Sequence, residues 1–208
     1  LIDVPDMNYR VTDKMMGNTL VHGRGEICVR GPCVMKGYYR RDSSDVLSAD
    51  GWYRTGDVGC VLTNGTFKVI DRARSVFKLS NGEFVAPEAI QNAINRAPFV
   101  AQVYVDGSAL KPFLVAVVVP DPDAVAAWVK TKGVRSKPDL ATVCADTKLG
   151  PELRARILQE IDTTARAAQL RGFEIPKAVF LEPEPFSPDN ILTPTLKLQR
   201  SLAKAKYQ

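Results

Sequence analysis

A small set of residues in this sequence could do chemistry. Asp57 follows Gly56 in the run Gly51-Trp52-Tyr53-Arg54-Thr55-Gly56-Asp57, at the boundary of a predicted strand and turn. A carboxylate there either caps the turn or accepts hydrogen bonds from two vicinal hydroxyls at once. Arg72, in Ile70-Asp71-Arg72-Ala73-Arg74, is by itself a surface ion-pair partner or an anion ligand. Lys78 reads as a solvated strand lysine and Gly82 as a turn residue that would also let a narrow ligand approach the backbone. Lys197 lies at the start of a basic tail with Arg200, Lys204 and Lys206, and no acid follows Asp189. Such a stretch forms a solvated helix face or meets a polyanion.

Several chemistries are excluded. The single histidine, His22, leaves almost no room for His-based triads or His-rich zinc sites. Gly23-Arg24-Gly25 starts a dinucleotide-like pattern but continues to Cys28 and precedes a strand, so it fails. No GxxxxGK, HExxH or GxSxG motif occurs. Asp121 and Asp123 stand at a helix start, where capping is the simpler reading than metal binding. No metal site is therefore assigned. Zinc-finger and RNP patterns are absent, so no nucleic-acid partner is expected. Cys28, Cys33, Cys60 and Cys144 form no CxxC pair and read as free structural thiols of a reducing compartment.

The elements that must position these residues fall into two parts. Gly25–Gly31 alternates Ile27 and Val29 with Glu26, Cys28 and Arg30, which predicts a half-buried strand with the apolar residues inward. Asp42-Ser43-Ser44-Asp45 before Val46 and Leu47 predicts a short capped helix. Asn64-Gly65 and Asn81-Gly82 each join two apolar runs and predict tight hairpins. Beyond Val85 the period changes. Pro87 opens a helix carrying Ile90 and Ile94, Val100–Val105 and Phe113–Val119 are strands, and Asp121-Pro122 starts a helix ending at Gly133. Pro151 opens the longest helix, with Leu153, Ile157 and Ile161 spaced by four and Gly172 ending it. Ala178–Leu181 is a last strand, Pro183–Pro194 a loop, and a basic helix closes the chain.

The fold class expected is α+β: the end of a β-rich, barrel-like subdomain over residues 1–72, then a small α+β domain over 73–208 with a short central sheet flanked by helices. With 208 residues, 45% hydrophobic, 25% charged and a net charge of 28 − 23 = +5, the composition is that of an ordinary globular protein. The longest apolar run, Phe113–Val119, falls far short of a membrane span. Leu1-Ile2-Asp3 reads as a cut inside a longer protein.

The two runs around Asp57 and Arg72, together with Phe77-Lys78-Leu79-Ser80-Asn81-Gly82-Glu83-Phe84-Val85-Ala86-Pro87-Glu88 and Leu192-Thr193-Pro194-Thr195-Leu196-Lys197-Leu198-Gln199-Arg200, resemble one family. Their order and types are similar to the C-terminal third of an adenylate-forming enzyme, specifically a long-chain fatty acyl-CoA synthetase. Gly25–Gly37 and Phe113–Asp121 also fit, so the resemblance covers nearly the whole chain. It implies a fatty acid–CoA ligase that forms an acyl-adenylate from ATP and then a thioester with coenzyme A. It implies that 1–72 belongs to the AMP-binding domain and that 73–208 is a mobile lid. Asp57 would hold the ribose, Arg72 the ribose and phosphate, and Lys197 the reacting carboxylate and α-phosphate. Lys78 and Gly82 would line the thioester-forming face and pantetheine tunnel. Arg74 would be the hinge, where the family usually carries Lys or Asp.

The family's phosphate loop, magnesium-binding Glu and acyl tunnel would precede Leu1, as would any membrane anchor. The chain alone is therefore expected to be inactive, with Mg2+ held mainly by the upstream part. An intracellular place, cytoplasmic or on the cytosolic face of an organelle membrane, is expected. Two other readings stay open. One is an adenylate-former acting on aryl or short-chain acids or making acyl-AMP esters for oxidation, and the other is a non-catalytic interaction module.

Overall fold

The computed structural model describes residues 1–40, 42–73, 75–133 and 139–207. The chain divides into two compact units, Leu1–Val76 and Phe77–Gln208.

The first unit is built on a four-stranded antiparallel sheet in the order β1-β2-β3-β4. The strands are β1 (Met15–Met16), β2 (Thr19–Val29), β3 (Tyr53–Leu62) and β4 (Phe67–Arg72). The Asn64-Gly65 hairpin forms as the sequence predicts: Gly65 takes a φ of 82° and Leu62 N–H donates to Thr66 O at 2.8 Å. Strand β2 starts at Thr19 rather than Gly25, because the chain turns at Gly17 and pairs β1 onto it. Gly23 and Gly25, the failed dinucleotide pattern, serve a packing purpose. A Cβ at Gly25 would strike Ile2 O, and one at Gly23 would meet Val11 O, so the N-terminal segment can cross this strand only over glycine.

Two expectations for this unit are corrected. The predicted alternation of burial along the Gly25–Gly31 run fails at two positions. Glu26 is buried at 6% exposure, while Val29 is 41% exposed. Register shifts within the β2–β3 pair break the simple alternation, and the inward carboxylate is satisfied by hydrogen bonds described below. The expected helix at Asp42–Leu47 is a single turn. Asp42 accepts from Ser44 N–H at 3.0 Å and Leu47 N–H donates to Ser43 O at 2.8 Å, but Leu47 then bridges to Tyr53 and leaves the helical path.

The second unit runs β5 (Phe77–Lys78), β6 (Phe84–Val85), α1 (Pro87–Ile94), β7 (Val100–Gly107), β8 (Leu114–Pro120), α2 (Pro122–Thr131), α3 (Leu140–Ala145), α4 (Leu149–Ala167), β9 (Ala178–Leu181) and α5 (Arg200–Tyr207). Strands β5 and β6 form the Asn81-Gly82 hairpin. The central sheet has the order β7-β8-β9, with β8 antiparallel to β7 and parallel to β9. A parallel pair needs a long crossover, and α2, α3 and α4 supply it.

Alternation along β8 sorts the core into two layers. Leu114, Ala116 and Val118 join Ile90 and Ile94 of α1 and Leu153, Ile157, Ile161 and Ala165 of α4. Val117 and Val119 point the other way and join Tyr104, Phe186, Ile191, Leu192 and Ala203 of α5. The sheet is therefore flanked on both faces, as expected. Asp121 caps α2 through Asp123 and Ala124 N–H, which supports capping at that pair. Helix α4 differs from the sequence reading at both ends. It begins at Leu149, ahead of Pro151, and stops at Ala167 because Gln169, not Gly172, takes the left-handed conformation at φ 61°.

Candidate functional site

In the first unit the pairing of β3 with β4 sets Asp57 directly opposite Arg72. Arg72 Nε lies 3.3 Å from Asp57 Oδ1, with side-chain exposures of 65% and 33%. A solvent-facing pair of this kind is worth about 0–1 kcal/mol, so a ligand can open it at little cost. Asp57 lies inside β3 rather than at its boundary. The ladder is interrupted around it by Gly56, at φ 74°, and by the register shift between Val58 and Gly59.

Each residue of the Arg54–Gly56 run has a task in holding that geometry. Arg54 Nε donates to the buried Glu26 Oε2 at 3.0 Å, and Gly56 N–H donates to Glu26 Oε1 at 3.2 Å. The hydrogen bond to Glu26 pushes the Arg54 guanidinium further up from its already high pKa. Thr55 Oγ1 donates to Ile27 O at 2.8 Å and accepts from Asp57 N–H at 3.1 Å. Ala73 N–H donates to Gly56 O at 2.8 Å, tying the end of β4 to the same turn. Glu26 was invisible as a site residue in the sequence, where it read as an outward strand position. Beside this turn the Tyr53 phenol is pushed up, first by its hydrogen bond with Tyr38, then by that neighbour's charge and by burial, and least by the charge of Asp57.

In the second unit Lys78 and Gly82 come together on one hairpin. Lys78 is exposed on β5, with Nζ 5.3 Å from the Phe84 ring centroid. Gly82 takes a φ of 87° and donates its N–H to Leu79 O at 3.0 Å. A Cβ there would meet only Lys78 Cε, at 4.0 Å, so backbone conformation rather than crowding calls for glycine. Arg74, the expected hinge, lies outside the described residues.

Lys197 stands on a separate loop of the same unit. Buried Phe186, Ile191 and Leu192 peg that loop to the sheet, and Gln102 grips Phe186 through both amide groups, at 2.6 and 3.1 Å. Leu192 bridges to Leu198, closing a tight turn in which Thr193 N–H donates to Lys197 O at 2.7 Å and Lys197 N–H to Thr193 Oγ1 at 3.0 Å. Leu196 before it is exposed and left-handed at φ 60°, a conformation that costs a non-glycine residue about 1–2 kcal/mol. Lys197 is exposed and precedes α5, so it is a loop residue and not part of the basic helix face.

Helix α5 behind this loop is latched by a buried acid. Glu182 accepts from Tyr207 Oη at 2.6 Å and pairs with Lys206 Nζ at 3.0 Å. Burial raises the Glu182 pKa, but these hydrogen bonds, joined by Glu184 N–H, outweigh it and leave the carboxyl below its usual range. Burial and the same contact push the Tyr207 phenol up to about 12. A depressed carboxyl contributes stability above its unfolded pKa, about 4.3, and loses it as pH falls through the folded value. The melting temperature is thus expected to fall between pH 6 and pH 3 by less in Glu182→Gln than in the wild type. An equal fall in both would show that Glu182 is not the responsible group.

Among the described residues no three His, Cys, Asp or Glu side chains group as a metal site, and no helix is long and apolar enough to cross a membrane. All four cysteines are free. The Asp57–Arg72 pair offers carboxylate acceptors for hydroxyls beside a cation for an anionic oxygen.

No family model matches the chain. It is 43% identical to long chain acyl-CoA synthetase 7, peroxisomal, of Arabidopsis thaliana over 100% of its own length and 28% of that protein. It is 41% identical to human long-chain-fatty-acid–CoA ligase 6 over 96% of its length and 27% of that protein. Among solved structures, the adenylation domain of a carboxylate reductase from Mycobacterium chelonae superposes with a TM-score of 0.81 at 31% identity, over 100% of this chain and 29% of that one. The A-PCP didomain of a carboxylic acid reductase from Segniliparus rugosus, in complex with AMP, gives 0.81 at 32% identity, over 100% of this chain and 26% of that one. The chain spans a little over a quarter of the length of the curated relatives it matches, and over nearly all of its own length it is similar to long-chain acyl-CoA synthetases.

Proposed function

We propose that this chain is the ribose-binding end and the mobile lid of a long-chain fatty acid–CoA ligase. The observation that carries the reading is the Asp57–Arg72 pair, held half-open on adjacent strands by a turn that Glu26 anchors from below. In the first half-reaction a fatty acid carboxylate oxygen attacks the α-phosphorus of ATP, and pyrophosphate leaves. In the second, the thiolate of coenzyme A attacks the acyl carbon and AMP leaves.

Asp57 accepts hydrogen bonds from the two ribose hydroxyls, and Arg72 turns from Asp57 toward the ribose and phosphate. Lys197 brings a positive charge to the carboxylate and α-phosphate as charge develops between them, which is where a fixed donor has its largest effect. Lys78 and Gly82 serve the thioester-forming step, where the exposed Gly82 turn gives the pantetheine arm room beside the backbone. The two steps use different loops of the lid, so the lid turns between them about the joint near Arg74. Motion of this kind gates many enzymes and can limit turnover. Magnesium bound with ATP would neutralise phosphate charge.

The test is fatty-acid-dependent ATP–pyrophosphate exchange by the full-length enzyme, followed by acyl-CoA formation on addition of coenzyme A. Exchange with long-chain fatty acids and a thioester product are expected. Exchange restricted to aryl or short-chain acids would move the chain to another adenylate-former. Absence of exchange with every acid would leave a non-catalytic module.

A further inference from the structure

We propose that Arg200 is a positioning residue that fastens the Lys197 loop to the strand carrying Lys78, so that the groups serving the two half-reactions move as one body. The proposal rests on the ligase reading above. Arg200 opens α5, three positions after Lys197, and the composition of the tail would make it another solvated cation. Instead its side chain is four-fifths buried, at 20% exposure. One edge of the guanidinium donates to Val105 O at 2.9 Å and to Asp106 Oδ1 at 3.3 Å on β7. Its other terminal nitrogen reaches Gln91 Oε1 of α1 at 3.4 Å, and the same oxygen accepts Val105 N–H at 2.9 Å.

The faces of the group are used as well. Cζ lies 5.1 Å from the Tyr104 ring centroid and 5.8 Å from that of Phe77. Phe77 immediately precedes Lys78 on β5, and its ring is backed by Gly107, where a Cβ would come within 2.8 Å of Phe77 Cε2. A planar fork with two stacking faces can do all of this at once, whereas an ammonium cannot. Arg200 thereby joins α5, β7, α1 and β5 at a single group. Displacements of about 1 Å at a reacting group can cost on the order of 10²-fold in rate. Loosening this joint therefore lets both Lys197 and Lys78 drift from their places.

The experiment compares Arg200→Lys with the wild type in the full-length enzyme, well below the melting temperature. It reads ATP–pyrophosphate exchange and, separately, acyl-CoA formation from supplied acyl-adenylate. Both rate constants are expected to fall about tenfold or more, with the KM for ATP unchanged because Asp57 and Arg72 belong to the other unit. Asp106→Asn, which loosens one contact and keeps the guanidinium, is expected to lower both rates in parallel by a smaller factor. It carries the test if Arg200→Lys does not fold.

A loss confined to exchange, or no loss in either step, would overturn the proposal. So would a rise in the KM for ATP at constant rate. A wild-type enzyme with no exchange would instead remove the ligase reading, and this proposal with it.

Discussion

Replacing Lys197 with alanine in the full-length enzyme should lower fatty-acid-dependent ATP–pyrophosphate exchange by roughly 10²-fold or more, the scale for losing one preorganised charge at a reacting centre. The fold should not feel it. The turn that presents Lys197 is closed by Thr193 N–H on Lys197 O, by Lys197 N–H on Thr193 Oγ1 and by the Leu192–Leu198 bridge, none of which uses the lysine side chain. An exposed side chain of this kind changes stability by no more than about 0.5 kcal/mol. Formation of acyl-CoA from supplied acyl-adenylate should stay within a few-fold of wild type, because that step is assigned to the Lys78–Gly82 hairpin. The discriminating result is thus a split: exchange collapses, while the thioester step and the melting temperature hold. Exchange that survives would take Lys197 out of the mechanism and leave Leu196 strained for no purpose that the ligase reading supplies.

Much of what positions the site could be read from local sequence. The Asn64-Gly65 and Asn81-Gly82 dipeptides specify their hairpins through backbone conformations that few other residues accept, and both glycines adopt them. Pro87, Asp121 and the four-residue spacing of Leu153, Ile157 and Ile161 mark helices by equally local rules. What the sequence concealed is non-local. Glu26 reads as an outward residue because alternation assumes an unbroken ladder, whereas the β2–β3 register shifts and bonds to Arg54 and Gly56 make the inward place the satisfied one. Arg200 reads as one more basic residue because its partners, Gln91, Val105 and Asp106, lie about a hundred positions away in the chain. At Asp42 the capping bonds form as predicted, although the chain then leaves the helical path for the Leu47 bridge to Tyr53. Motif order singles out Asp57, Arg72, Lys78, Gly82 and Lys197 as candidates, but the groups that hold them still are tertiary.

That dependence can be measured through the core of the second unit. Ile161 of α4 is fully buried, in a row with Leu153, Ile157 and Ala165, and the cluster it joins includes Ile90 and Ile94 of α1 and Val118 of β8. Ile161→Ala removes three carbons from this layer and leaves a cavity, at a cost of about 2–5 kcal/mol. Natural domains hold only about 5–15 kcal/mol in total, so this is a large fraction of the unit's stability. Calorimetry of the 208-residue chain should show the transition of the second unit lowered by roughly 6–20 °C. A fall of only a degree or two would mean that the layer relaxes to fill the space. In the full-length enzyme the two half-reactions should decline together on warming and recover together on cooling, since Lys197 and Lys78 hang from the same sheet and helices. Lys197→Ala, in contrast, should depress one step at every temperature. The pair of variants separates a lid that has lost its frame from a lid that has lost a charge, and only the second bears on the chemistry.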